Sequence, residues 1–177
     1  DGSVRTLASL PVAERVPVRG VPTGPRNFAW RANQPATLVW AEALDGGDWK
    51  VEVPARDRLL TLAAPFAGTP GEFARTKQRF GGLSWFEDGG RALLTEFDAN
   101  RNWRTTRLVD ADRAGDPGRV LWDLSTHELY ANPGSPQGRV VPNGARVLRE
   151  EGGALFLNGH GASPQGDRPF LDRYDLA

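Results

Sequence analysis

One hairpin pattern recurs three times along the chain, and this repetition constrains the fold more than any other feature. In the first copy Asn27-Phe28-Ala29-Trp30-Arg31 runs into a polar turn, Ala32-Asn33-Gln34-Pro35, and out into the apolar run Ala36-Thr37-Leu38-Val39-Trp40-Ala41. The second copy reads Gly82-Leu83-Ser84-Trp85-Phe86, turn Glu87-Asp88-Gly89-Gly90, then Ala92-Leu93-Leu94-Thr95-Glu96-Phe97. A third, weaker copy is Ala145-Arg146-Val147-Leu148, turn Arg149-Glu150-Glu151-Gly152-Gly153, then Ala154-Leu155-Phe156-Leu157. Aligned on Trp30, Trp85 and Leu148, the copies lie 55 and 63 residues apart. Self-similarity at such a period is the mark of a repeat architecture.

Each copy continues into a third strand candidate: Arg58 to Ala63, Trp103 to Asp110, and Pro169 to Leu176. The first two add a fourth, Glu72 to Gln78 and Arg119 to Leu124. Four strands per repeat of this length is how a propeller blade is built. The second strands are nearly continuous apolar runs, as expected of strands buried on both faces. No stretch shows capped 3.6-residue periodicity, so the expectation is an all-β fold, a partial β-propeller of about three four-stranded antiparallel blades. The blades are placed at 25–79, 80–142 and 143–177, the last with its first three strands only. Residues 1–24, with strand material at Val4 to Leu10 and Arg15 to Val18, read as the tail of a preceding blade.

The 21 Gly and 14 Pro, spread along 177 residues, suit such a turn-rich domain. The balance of 22 basic and 22 acidic residues argues against nucleic acid as a partner, since a binder carries a clustered basic excess. There is no Cys for a disulfide or a thiolate metal site, and no apolar run of membrane-spanning length. The absence of Met and of a basic-then-apolar start reads as a piece excised or processed from something larger.

Several stretches resemble the glutamyl endopeptidases of the prolyl-oligopeptidase family of serine peptidases. The most specific are Gly161-Ala162-Ser163-Pro164-Gln165-Gly166-Asp167-Arg168-Pro169-Phe170-Leu171-Asp172-Arg173-Tyr174-Asp175-Leu176 and Thr23-Gly24-Pro25-Arg26. Val39 to Asp48, Arg56-Asp57-Arg58 and Asn143 to Leu148 are similar to further stretches. The resemblance implies a seven-bladed parent propeller packed over an α/β-hydrolase domain that supplies the catalytic Ser, His and Asp. The partners are then the remainder of the same polypeptide and peptide substrates, with no nucleic acid and no membrane. The resemblance allows a secreted or periplasmic bacterial protein or a plastid one.

Within the chain itself no catalytic set can be assembled, and no cofactor or metal is expected. There is no G-x-S-x-G elbow; Ser163 comes nearest, but Pro164 removes the N–H that would complete an oxyanion hole. His127 and His160 lack ligand-spaced partners, and Asp110, Asp112 and Asp116 lack the closing Glu of a calcium loop. Glu87-Asp88 and Glu150-Glu151 are read as turn formers. The Trp residues at 30 and 85 are read as packing between blades, with the lining of a central tunnel as the alternative. A peptidase selecting Glu needs a cation for the substrate carboxylate, and Arg offers a bidentate fork. With 20 Arg against 2 Lys, Arg56, Arg58, Arg101 and Arg104 are the candidate substrate-binding residues on loop placement. The expected role is a non-catalytic segment that gates and filters peptide access; the rival is a propeller scaffold for protein–protein interaction.

Overall fold

A computed structural model describes residues 4–10, 12 and 16–177. Among the described residues there is no helix. The first sheet is built in chain order from β1 (Arg26–Trp30), β2 (Thr37–Ala43), β3 (Asp57–Ala63) and β4 (Gly71–Thr76). The second repeats this with β5 (Arg79–Trp85), β6 (Arg91–Asp98), β7 (Trp103–Asp110) and β8 (Arg119–Ser125). The chain then passes through β9 (Ser135–Pro136), β10 (Gly138–Val140), β11 (Arg146–Leu148) and β12 (Glu150–Glu151) to β13 (Ala154–Gly159) and β14 (Phe170–Asp175). Every pairing is antiparallel.

The hairpin turns form where the sequence places Asx and Gly residues. Asp88 Oδ1 accepts the N–H groups of Gly90 at 2.8 Å and Arg91 at 2.9 Å, which closes the turn between β5 and β6. Gly89 sits there at φ +70°, and a Cβ would lie 2.9 Å from the Ala32 carbonyl of the first sheet. Glycine is therefore required both by the backbone and by the neighbouring sheet.

Three four-stranded sheets lie face to face, the third built from β9, β12, β13 and β14, with a core in each gap, and β10 and β11 pair as a separate two-stranded sheet. Val39, Ala41, Leu59 and Ala74 of the first sheet meet Trp85, Ala92, Leu94 and Val109 of the second. On the other side of the second sheet Phe86 and Leu93 meet Leu148 of β11 and Leu155 and Leu157 of the third sheet. Successive residues of β6 thus point into different cores, so Ala92, Leu93 and Leu94 are all buried. This is why the strand reads as a continuous apolar run.

The aligned positions Trp85 and Leu148 each face the preceding sheet and are only 6% and 5% exposed. Trp30 occupies the same position on the first sheet, pairing with Leu38 as Trp85 pairs with Ala92. No sheet of the described residues covers that side, and Trp30 is 61% exposed, touching Phe66 at 6.1 Å between ring centroids. The expected packing role thus holds for Trp85, whereas Trp30 is uncovered.

Three expectations are corrected. Val4 to Leu10 form no strand; Arg5, Thr6 and Leu7 run over the open face of the first sheet and enclose about 200 Å³ with Phe28, Trp40 and Phe66. Val16 to Val18 form no strand either, and Arg15 lies outside the described residues. Glu150 and Glu151 belong to strand β12, paired with Leu155 and Ala154, and the turn is Gly152-Gly153; Arg91 reaches the Glu150 carboxylate at 2.6 Å. The third sheet also receives β9 on the same edge of β13 that pairs with β12. Gly134 permits the approach: at φ +86° a Cβ there would lie 2.4 Å from the Asn158 carbonyl.

Arginines tie neighbouring sheets together. Arg31 leaves the first sheet to donate to Gly89 O at 2.5 Å and Asp112 at 2.8 Å, stacking 5.3 Å from the Trp85 ring. Arg107 of the second sheet donates to Arg75 O of the first at 2.7 Å, and Arg119 reaches the Leu176 carbonyl of the third. A planar fork with five donors bonds several acceptors at once, which a lysine ammonium does less well. The excess of Arg over Lys acquires a structural use in these ties.

Candidate functional site

The strands that begin each repeat, β1, β5 and β11, converge on one side of the stack. Between them lies a cleft of about 880 Å³. Phe28 and Trp30 from β1, Phe80 and Leu83 from β5 and Arg146 from β11 line it. Asn143 Nδ2 donates to Asn33 Oδ1 at 3.1 Å, so the turn before β11 closes onto the turn after β1. Within the described residues β1 pairs only with β2 and β5 only with β6, so both present an unpaired backbone edge to this cleft. Such a wall offers aromatic surface, one cation and free peptide groups to an extended chain.

At one end of the cleft a charged seam joins the first two sheets. Asp45 and Asp57 have fully buried side chains. Arg79 bridges them, at 2.6 Å from Asp45 and 2.7 Å from Asp57. Arg56 adds a contact to Asp45 at 2.9 Å, and Arg26 one to Asp57 at 2.6 Å. Backbone N–H groups complete both carboxylates: Gly47 donates to Asp45 at 3.0 Å, Phe80 to Asp57 at 2.7 Å. Burial alone would raise the Asp45 pKa, but the bonds from Arg79 and Arg56 outweigh it and hold the carboxyl below its usual value.

A group whose folded pKa is depressed contributes stability above its unfolded pKa, near 4 for Asp, and loses it as pH falls through the folded value. Urea unfolding followed from about pH 7 to about pH 2.5 should therefore show stability falling below about pH 4. In Asp45→Asn the protein starts less stable and this part of the acid loss is absent; an unchanged acid slope would contradict the assignment.

The four arginines expected to bind substrate lie toward the same end of the sheets but do not converge. Arg56 lines a pocket of about 260 Å³ with Arg19, Arg79 and Trp49. Arg58 makes a two-bond pair with Glu42, at 3.0 and 2.7 Å, on the open face of the first sheet. Arg101 stacks 4.6 Å from the Trp103 ring, in the turn before β7. Arg104 lines a separate cavity between the second and third sheets. Sequence reasoning missed Arg19, Arg26, Arg79 and Arg146. Arg79 had one usable signal, its place at the start of a repeat, but its partners lie 22 and 34 residues away.

The remaining candidates lie apart from one another. Ser163 Oγ donates to Gly166 O at 2.6 Å in a loop turn. Asp110 and Asp116 accept backbone N–H groups within their own loop, and Glu87 pairs with Arg139. His127 lies in the turn after β8 and His160 in the loop after β13.

No protein-family model matches the chain, and no solved structure does. Among curated proteins, it is 38% identical over 183 residues to the probable glutamyl endopeptidase, chloroplastic, of Arabidopsis thaliana, covering 98% of this chain and 19% of that protein. It is 36% identical over 186 residues to the protein of the same name from Oryza sativa subsp. japonica, covering 99% of this chain and 20% of the relative. The chain spans about a fifth of the length of the curated relatives it matches, and along that fifth it is similar to proteins named as glutamyl endopeptidases.

Proposed function

We propose that the three four-stranded sheets are consecutive blades of a seven-bladed β-propeller, close to 25–79, 80–142 and 143–177 but with the third beginning at β9, and that 1–24 lead in from a preceding blade. In this reading the ring covers an α/β-hydrolase domain of a serine peptidase and filters which polypeptides reach it. The chain contributes a wall of the central channel and none of the catalytic groups. The observation that carries the reading is the repeated packing relation: Trp85 and Leu148 each lie against the preceding sheet, and Trp30 faces the side where a further sheet would sit. The cleft lined by β1, β5 and β11 then becomes part of the channel, and the similarity to glutamyl endopeptidases supports a peptidase as the parent.

The test uses the full-length protein. With a preceding blade over it, Trp30→Ala costs as much stability as Trp85→Ala, about 3–5 kcal/mol. If Trp30→Ala stays within about 0.5 kcal/mol, as exposed positions do, no sheet covers that face and the arc does not continue.

Filtering is read separately from the ratio of kcat/KM for a short Glu-containing peptide and for a long unfolded polypeptide. Arg146→Ala at the cleft wall is expected to change that ratio, whereas an interaction scaffold would leave it alone. For the substrate carboxylate, the proposed contact is one of Arg56, Arg58, Arg101 and Arg104, which lie apart and do not share it. Alanine at all four sites leaving kcat/KM for Glu substrates unaltered would remove them from the account.

A further inference from the structure

The gap between the second and third sheets changes character along its length. One end is closed by Phe86, Leu93, Leu148, Leu155 and Leu157. Toward the other end the same face of the second sheet carries Thr95 opposite Thr106, Trp122 beside Thr106, and Arg104 on the next rung. The segment Pro133 to Pro136 crosses over this polar half without filling it, and a cavity of about 120 Å³ remains.

Its lining residues include Arg104, Trp122 and the hydroxyl-bearing Ser84, Thr95, Thr106 and Ser135, with no carboxylate among them. Trp122 Nε1 is buried and has no hydrogen-bond partner among the described residues. The hydroxyls of Thr95 and Thr106 stand 3.4 Å apart, near enough to share an acceptor. Neighbouring arginines have partners: Arg101 stacks on Trp103, and Arg107 pairs with Glu96 at 3.0 Å. Arg104 has neither a carboxylate nor a carbonyl among the described residues.

A buried N–H without an acceptor costs about 1–3 kcal/mol, so native proteins rarely leave one unmatched. Trp122 and Arg104 line the same cavity, Arg104 on its solvent-exposed side, and one anionic acceptor there would serve both. We propose that this cavity binds a single small oxyanionic group, a free phosphate-like ion or the side-chain carboxylate of a polypeptide. Arg104 and the Trp122 N–H hold the anion, and the Thr95 and Thr106 hydroxyls complete its shell. The volume admits one such group and excludes a nucleotide. The site shares Arg104 with the substrate contacts proposed above, and its donors recognise charge and oxygen geometry alone.

The experiment is calorimetric titration of the full-length protein in phosphate-free buffer. One arm uses inorganic phosphate, and the other uses N-acetylglutamate amide, whose only carboxylate is a side chain. Saturable binding of either is expected, weakened about 10-fold or more by Arg104→Gln and about 3- to 10-fold by Trp122→Phe, which keeps the ring and removes the donor. Phosphate binding alone identifies a free oxyanion as the ligand; binding of the amide alone identifies a polypeptide side chain. Arg104→Lys, which keeps the charge, restores part of the affinity and separates recognition from folding. Should Arg104→Gln fail to fold, the Trp122→Phe comparison decides. No binding of either ligand to the wild-type protein, or binding indifferent to both substitutions, overturns the proposal and leaves a hydrated cavity.

Discussion

Arg79→Ala is expected to destabilise the protein by about 3–5 kcal/mol, because it leaves two buried carboxylates short of their shared cation. Asp57 keeps Arg26 and Asp45 keeps Arg56, but the bridge between the first and second sheets is lost. In a domain of this size the loss corresponds to a fall in Tm of roughly 10 °C. Arg79→Lys recovers only part of it, since a single ammonium does not reproduce the two-pronged contact to both carboxylates. Combining Arg79→Ala with Asp45→Asn should cost less than the sum of the two, because the second change removes the charge that the first strands. Strict additivity in urea unfolding would show that the seam is no coupled network.

The second large effect is expected at Phe86→Ala. Phe86 is fully buried, packs with Leu93, Leu148, Leu155 and Leu157, and lies 4.6 Å beneath the Arg91 guanidinium. Removing the ring opens a cavity where the second and third sheets meet, with a cost of about 3–5 kcal/mol. Phe86→Leu keeps most of the volume and should cost less than half as much. Thermal unfolding distinguishes the two; equal and small effects would mean that the sheets close up without this residue.

The residues that made the fold legible are those whose local chemistry and burial agree. The turn Glu87-Asp88-Gly89-Gly90 between two apolar runs forms the hairpin it predicts, because Asp88 and Gly89 suffice to close it. The unbroken run Ala92-Leu93-Leu94 correctly announced a strand with a core on each side. Where the reading failed, the determinant was remote. The Ser135 to Val140 strands hide in a Pro- and Gly-rich stretch and exist because Gly134 lets the backbone approach Asn158. Glu150 reads as a turn residue, but it pairs with Leu155 in a strand and its carboxylate meets Arg91, 59 positions away. The candidate site was less legible still. Loop placement singled out Arg56 and Arg104, yet what distinguishes the arginines is whether a carboxylate faces them across a sheet boundary, and sequence spacing does not encode that.

If these sheets are consecutive blades of a ring over a peptidase active site, electron cryo-microscopy of the full-length protein will show a closed ring in which a further sheet lies on Trp30. In that ring β1, β5 and β11 line the central channel, and the channel opens onto a hydrolase domain. Three sheets standing apart from any catalytic domain, with Trp30 in solvent, would rule the ring out.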